Sequence, residues 1–199
     1  MVAEAAALGL AALGIADRNT VARVVRAHDA AKQAGLRLLV GSRLVFRDGT
    51  PDLIAYPEDR AGWGQLTQLL TLGKRRAPKG DCHLDRADVL GHAAGLVLLA
   101  LPPERPDATF AAAFADLRAV LGRRLHLAAD RRIGATDVQR LRTLATLDAG
   151  FAAVSEPLCH APERRALHDV MTAIRLGATV ERADHARCRT RNATSNRPP

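Results

Sequence analysis

Polar side chains that could do chemistry follow the predicted strands of this chain. The five candidates are Asp17, Arg43, Asp130, Glu156 and His160. Carboxyl ends of parallel strands meet at one edge of a sheet or in the mouth of a barrel, so these side chains are expected to lie close together. Because carboxylates and imidazoles bind metals, Asp17, Glu156 and His160 could converge on a metal ion. Arg43 could pair with Asp17 or with a phosphate, but it cannot bind a metal.

These candidates also have ordinary structural interpretations. Asp17 can be a helix N-cap or a turn residue, and His160, beside Pro162, can be a loop histidine. Cys159 next to His160 resembles a nucleophile and its base, but adjacent residues rarely come within reach of each other. The sequence contains no Gly-rich phosphate loop, no nucleophile elbow and no HExxH motif. Spacing alone therefore leaves both interpretations open.

Residues 11–46 position the first two candidates. The sequence predicts a buried strand over 11–16, a helix from Val21 to Ala34 that stops at Gly35, and a second strand over 36–40. The simplest arrangement of these elements is a pair of parallel strands connected by the helix. Asp17 and a turn at Gly41-Ser42-Arg43 would then lie side by side.

The alternation of strands and helices continues to about residue 176. Asp48-Gly49 predicts a hairpin to a strand over 52–56, the one antiparallel pairing expected. Further strands are predicted over 95–101, 125–129 and 152–155. Further helices are predicted over 60–72, 84–90 with Asp85 as N-cap, 107–121, 136–149 with Thr136 as N-cap, and 162–176. The pattern predicts an α/β sheet or barrel.

Composition sets the class of protein. The 199 residues are 48% hydrophobic but only 3% aromatic, so the core must consist of Ala, Leu and Val. No apolar run reaches the roughly 18 residues of a membrane span, and the Ala-rich start lacks the basic region of a signal peptide. The three cysteines show no ligand-like spacing. We therefore expect a cytoplasmic protein without disulfides and without a membrane partner.

The net charge of +8 is unevenly distributed. Residues 182–199 contain five Arg and one Asp and so carry +4, which leaves an ordinary +4 on the remainder. The dense basic cluster outside this tail consists of Lys74, Arg75, Arg76 and Lys79. It is either a solvated loop or a contact to a nucleic-acid backbone, so these four residues are the candidate DNA contacts.

Three segments resemble a known family. They are GIADRNTVARVVRAHDAAKQAGLRLLVGSRLVF, DGTPDLIAYPEDRAGWGQLTQLLTLGKRRAPKG and HAPERRALHDVMTAIR. In this order they resemble the N-terminal PHP (polymerase and histidinol phosphatase) domain of bacterial family-C DNA polymerases. The error-prone subgroup, related to the polymerase III alpha subunit, is the most similar. The resemblance covers residues 3 to about 180.

The resemblance implies an incomplete, distorted β/α (TIM-like) barrel that lacks its first strand, and with it the family's His-x-His metal ligands. The strands left with unpaired edges should favour self-association. Active family members use a divalent metal (Mg, Zn or Mn). Asp17 matches the Asp of the family's Asp-His motif, but Arg18 replaces the His, and Arg43 replaces the Glu of its Gly-x-Glu motif. Glu156 and His160 match later ligand positions. The resemblance thus leaves only degenerate remnants of a metal site at Asp17, Glu156 and His160, and we expect no cofactor and no catalytic residue.

The family's polymerase segments lie beyond residue 199, so the resemblance implies a structural module of a longer polymerase. The intact family member performs DNA-directed synthesis across lesions after DNA damage. Its partners would be DNA, the remaining polymerase domains, translesion accessory proteins and the sliding clamp. The alternatives are a free-standing PHP-type metal-dependent phosphoesterase and a basic nucleic-acid-binding domain.

The last residues lack apolar periodicity. We therefore expect a PHP-like domain over 1–180 and a disordered tail over 181–199. Residues 187–196, read in a shifted frame with permissible codons, give a stretch similar to the one that follows the PHP helix in the family. We hypothesise a frameshift near residue 181. The nucleotide sequence of the locus tests this, since it must then contain polymerase coding sequence downstream in another frame.

Overall fold

The computed structural model describes residues 1–130, 137–147, 149–154 and 161–182. The chain divides into two compact units. The first comprises 1–129 and 142–152, and the second comprises 130–141 and 153–199. The first unit contains the two strands that carry the candidate residues Asp17 and Arg43.

Six strands form one curled sheet, a half-barrel in which spatial order follows chain order. They are β1 Ala12–Arg18, β2 Arg37–Leu44, β3 Leu53–Pro57, β4 Leu96–Ala100, β5 Leu125–Ala129 and β6 Phe151–Ala153. β1 pairs with β2 in parallel, and β4 with β5 in parallel. β3 is antiparallel to both β2 and β4. The expectation of a single antiparallel pairing was therefore wrong. The segment with two helices that connects β3 to β4 places β4 beside β3 in the opposite direction. The predicted α/β class is confirmed.

Seven α-helices lie in the described part of the chain. They are α1 Val2–Ala7, α2 Val24–Gln33, α3 Arg60–Arg75, α4 Arg86–Gly91, α5 Ala108–Leu121, α6 Asp137–Ala145 and α7 Arg165–Leu176. The predicted helices thus exist, although α6 ends four residues early and its predicted cap Thr136 lies outside the described residues. None of these helices is long and apolar enough to cross a membrane.

Aspartates fix the starts of the helices that pack on the sheet. The Asp59 side chain accepts a hydrogen bond from the Gly62 N–H at 2.8 Å, and Asp107 accepts one from the Phe110 N–H at 2.8 Å. Such N-caps satisfy backbone donors that have no partner within a helix. The predicted cap Asp85 precedes α4, and its own N–H donates to the Asp88 carboxylate at 2.9 Å. These aspartates thus determine the residues at which α3, α4 and α5 begin.

The core consists of aliphatic side chains, as the composition requires. The larger cluster packs alternate residues of β2 to β5 against α3, α4 and α5, with Leu53, Leu66, Leu98 and Phe114 at most 1% exposed. A smaller cluster packs Ile15 of β1 against α2 and α1. Helices α1 to α5 thus cover one face of the sheet. Because side chains alternate along a strand, the residues between the core positions lie on the other face.

Candidate site at the ends of the first two strands

The register of β1 and β2 brings the first candidates together. Asp17 lies opposite Ser42, and Arg18 lies opposite Arg43. This neighbourhood is the one that the parallel crossover predicts. However, Gly41, Ser42 and Arg43 belong to β2 rather than to a turn, and Asp17 and Arg18 belong to β1.

Asp17 lies on the helix-covered face of the sheet, since it alternates with Ile15 of the smaller core cluster. Its carboxylate is 3.9 Å from the Arg23 Nε, immediately before α2. Its backbone carbonyl accepts a hydrogen bond from the Ser42 hydroxyl at 2.9 Å. Among the described residues, the buried Oδ2 atom of Asp17 accepts no hydrogen bond. Asp17 is therefore neither a helix cap nor directed to the face that carries Arg18.

Arg43 lies on the opposite face of the sheet from Asp17. Its Nε and Nη2 atoms lie 2.9 and 2.8 Å from the Asp52 carboxylate oxygen Oδ2. Of the two partners that the sequence left open for Arg43, Asp17 is on the wrong face: it is paired with Ser42, and successive side chains of a strand point to opposite faces. The partner, Asp52, instead directly precedes β3, across the Asp48-Gly49 hairpin, a contact that the sequence pattern did not predict.

Tyr56 of β3 covers the same face beside Arg43. A Cβ atom on Gly14 would lie 2.8 Å from the Tyr56 hydroxyl, and one on Gly41 would lie 2.5 Å from the Ala55 carbonyl oxygen and 2.7 Å from the Tyr56 ring. Only glycine allows this approach. The place where β1 and β2 run under Tyr56 is therefore closely packed.

Asn19 connects the ends of β1 and β2. Its Oδ1 accepts from the Val45 N–H at 2.9 Å, and its Nδ2 donates to the Val45 carbonyl at 3.3 Å. Its φ of 50° lies in the left-handed region that Asn tolerates. The Asn19 side chain thus extends the pairing of β1 with β2 to the backbone of Val45. The sequence signal for this contact was the presence of Asn, a residue that commonly bonds to nearby backbone.

Of the remaining candidates, the structure describes Asp130. Glu156 and His160, with Cys159, lie outside the described residues. Asp130 belongs to the second unit, where its Oδ1 lies 2.8 Å from the buried Arg140 Nη2. Within the described ranges, no three His, Cys, Asp or Glu side chains are grouped as metal ligands.

A multinuclear metal site does not fit the residues that this structure places at the strand ends. A guanidinium at position 43 is bound to the Asp52 carboxylate on one face. The Asp17 carboxylate lies on the other face. A cation repels a metal ion, and ligands on opposite faces of a sheet cannot share one.

The basic cluster at the end of α3 divides into two parts. Arg76 donates two hydrogen bonds from Nη1 to the buried carboxylate of Asp88, at 2.9 and 2.7 Å. Lys74 and Lys79 instead line a separate cleft with Arg18. Arg76 therefore has a structural partner, whereas the two lysines face solvent.

The hairpin after β2 is tied to α4 by Asp48. Its carboxylate accepts hydrogen bonds from the Arg86 N–H at 2.7 Å and from the Thr50 N–H at 3.1 Å. Partial burial by itself raises the pKa of Asp48, but these backbone donors outweigh burial and hold the pKa below its ordinary value of 3.8. The ionised carboxylate thus stabilises the fold at neutral pH, and this contribution is lost as the pH falls through that lowered pKa.

Three curated relatives of the chain carry the same name. The chain is 45% identical over 183 residues to an error-prone DNA polymerase of Caulobacter vibrioides, matching 90% of this chain and 17% of the relative. It is 43% identical over 189 residues to an error-prone DNA polymerase of Brucella abortus, matching 90% of this chain and 18% of the relative. A Rhodopseudomonas palustris relative with the same name is 44% identical over 191 residues, which are 91% of this chain and 17% of the relative. No protein-family model matches.

A solved structure shares the fold. A candidate metal-dependent phosphoesterase from Bifidobacterium adolescentis superposes with a TM-score of 0.53 at 17% identity, covering 77% of this chain and 79% of that chain. The likeness at this identity concerns the fold alone. The chain is thus homologous to one segment, about 17% of the full length, of error-prone DNA polymerases.

Proposed function

We propose that this chain is the PHP-type structural module of an error-prone DNA polymerase and does not itself perform metal-dependent phosphoester chemistry. The observation that carries the proposal is the Arg43–Asp52 ion pair, with nitrogen–oxygen distances of 2.9 and 2.8 Å. A side chain that the family's motif would use for a metal is here a cation, and it joins β2 to the entrance of β3. Position 43 would thus hold two strands together instead of binding a metal.

The finer parts of the proposal concern the longer protein. There, DNA-directed synthesis across lesions, DNA repair and damage-induced mutagenesis would be carried out by other segments. DNA, the other polymerase domains, translesion accessory proteins and the sliding clamp would be the partners, in the cytoplasm. Residues 1–180 would form the PHP-like module and 181–199 a separate tail. Asp17, Glu156 and His160 would be remnants that bind no metal.

Metal titration tests the proposal against the alternative of a free-standing phosphoesterase. We expect Mn²⁺ or Zn²⁺ to leave the melting temperature of the full chain unchanged. A ligand at 100 times its Kd would add about 2.7 kcal/mol to the free energy of unfolding, which is about 5–11 °C for a chain of this size.

Asp17→Asn provides the matched control, since it removes a remnant carboxylate without changing its shape. Equal melting curves with and without metal in both proteins support the proposal. A metal-dependent rise in the parent that Asp17→Asn abolishes, together with hydrolysis of bis-p-nitrophenyl phosphate, would establish the phosphoesterase instead.

A further inference from the structure

An open cleft lies between the end of β1 and the loop that follows α3, inside the first unit. Its volume is about 890 Å³, and it is lined by residues 18–20 on one side and by Lys74 and residues 78–83 on the other. The two sides are 54 or more residues apart in sequence, so only the fold brings them together. In the sequence, Lys74 and Lys79 belong to one basic cluster, and no local pattern connects Arg18 with them.

The charges that line the cleft are predominantly positive. Arg18, Lys74 and Lys79 are exposed, and Asp81 is the one acidic residue of the lining. Within the part of the chain that the structure describes, none of the three cations forms a salt bridge or a side-chain hydrogen bond. By contrast, the neighbouring Arg76 is held by Asp88. Unpaired cations on opposite walls favour an anion between them.

The backbone holds the second wall in place. The His83 N–H donates to the Gly73 carbonyl at 2.9 Å, and the Asp81 N–H donates to the Pro78 carbonyl at 3.0 Å. A Cβ atom on Gly73 would lie 2.7 Å from the Cys82 sulfur, so the loop packs directly on α3. Lys74 in the last turn of α3 and Lys79 in the loop therefore extend from a fixed backbone, which needs little ordering to bind a ligand.

We infer that Arg18, Lys74 and Lys79 form a binding cleft for the phosphodiester backbone of single-stranded nucleic acid. Long, flexible ammonium side chains on an open cleft suit a series of phosphates better than one enclosed anion. No Phe, Tyr or Trp lines the cleft, so bases would not stack there and the contacts expected are those to phosphates. This inference goes beyond the proposed structural role and does not depend on it.

The test measures binding of a fluorescein-labelled oligothymidylate to the full chain by anisotropy over a range of NaCl concentrations. The triple variant Arg18→Ala, Lys74→Ala, Lys79→Ala removes three phosphate contacts. We expect it to bind about tenfold more weakly and to reduce the slope of log K against log salt by about 2, since each contact contributes about 0.7 on a single strand. The basic tail contributes equally to both proteins.

The matched control is Arg26→Ala, Lys32→Ala, Arg37→Ala, which removes the same charge from exposed positions outside the cleft. We expect its slope to equal that of the parent chain. The same slope change in both triple variants would overturn the inference, because binding would then follow net charge alone. Displacement of the oligonucleotide by low-millimolar inorganic phosphate at constant ionic strength would overturn it as well, since the cleft would then take a small anion.

Discussion

Gly62→Ala is expected to lower the free energy of unfolding by about 3 kcal/mol, at the upper end of the overpacking range. A methyl group at this position of α3 would overlap the Gly95 carbonyl oxygen and approach its carbonyl carbon to 2.8 Å. The same carbonyl oxygen accepts a hydrogen bond from the Glu58 N–H at 2.9 Å. Neither backbone can therefore move without separating the start of α3 from the start of β4.

Gly64→Ala is the matched control for this prediction. It lies two residues further along α3, and a Cβ atom there would meet nothing within 4 Å. We expect it to be neutral or to stabilise the helix by up to about 1 kcal/mol, the difference in helix propensity. Thermal melts of both variants decide the matter. A drop of about 6–12 °C is expected for Gly62→Ala alone, and equal melting temperatures would contradict the close packing of α3 on residue 95.

Arg76→Ala is expected to lower the free energy of unfolding by about 1.5–3 kcal/mol, the range for hydrogen bonds to a charged group. Arg76 follows α3 directly, and Asp88 lies in the first turn of α4. The variant leaves the Asp88 carboxylate, which is 8% exposed, without the guanidinium that neutralises it. The Arg76 side chain is itself 44% exposed, so the cost comes from the buried Asp88 carboxylate that loses its cationic partner.

Arg75→Ala removes the same side chain one residue earlier, at an exposed position. We expect a change within about 0.5 kcal/mol, as for an ordinary surface substitution. Urea unfolding of both single variants, of Asp88→Ala and of the Arg76→Ala, Asp88→Ala double variant gives the coupling between the two residues. A coupling near zero would mean that solvent, rather than Arg76, neutralises Asp88.

Local signals in the sequence predict most of the framework. The helix predicted over 107–121 and the predicted cap Asp85 occur where the pattern places them, because each depends on residues within a few turns of one another. The parallel crossover from β1 to β2 follows from strand length and helix length. Features of this kind are determined by residues that lie close together in the sequence.

Two glycines explain why other boundaries were wrong. Gly41 predicted a turn, and the predicted end of α3 came just before Gly73, since glycine commonly interrupts regular structure. In the fold both lie inside elements, where Gly41 lies against Tyr56 and Gly73 lies against Leu84 and Cys82. These residues approach from distant parts of the chain, so the requirement for glycine is visible only in three dimensions.

The candidate site was predictable in position but not in chemistry. Parity along a strand determines that Asp17 and Arg43 lie on opposite faces once the register is known. The sequence did not specify that register, nor did it identify Asp52 as the partner of Arg43. Arg43 and Asp52 meet across a hairpin, and which residues face each other there depends on the strand register.

The most direct test of the central claim is the polymerase activity of a chimera. The matched segment of the Caulobacter vibrioides relative, 45% identical over 183 residues, is replaced with this chain. Primer extension by the chimera is compared with that of the unaltered relative and of a deletion of the segment. We expect the chimera to retain the relative's activity and the deletion to lose it, because the segment serves as framework. A chimera as inactive as the deletion, although it is soluble and folded, would contradict the account.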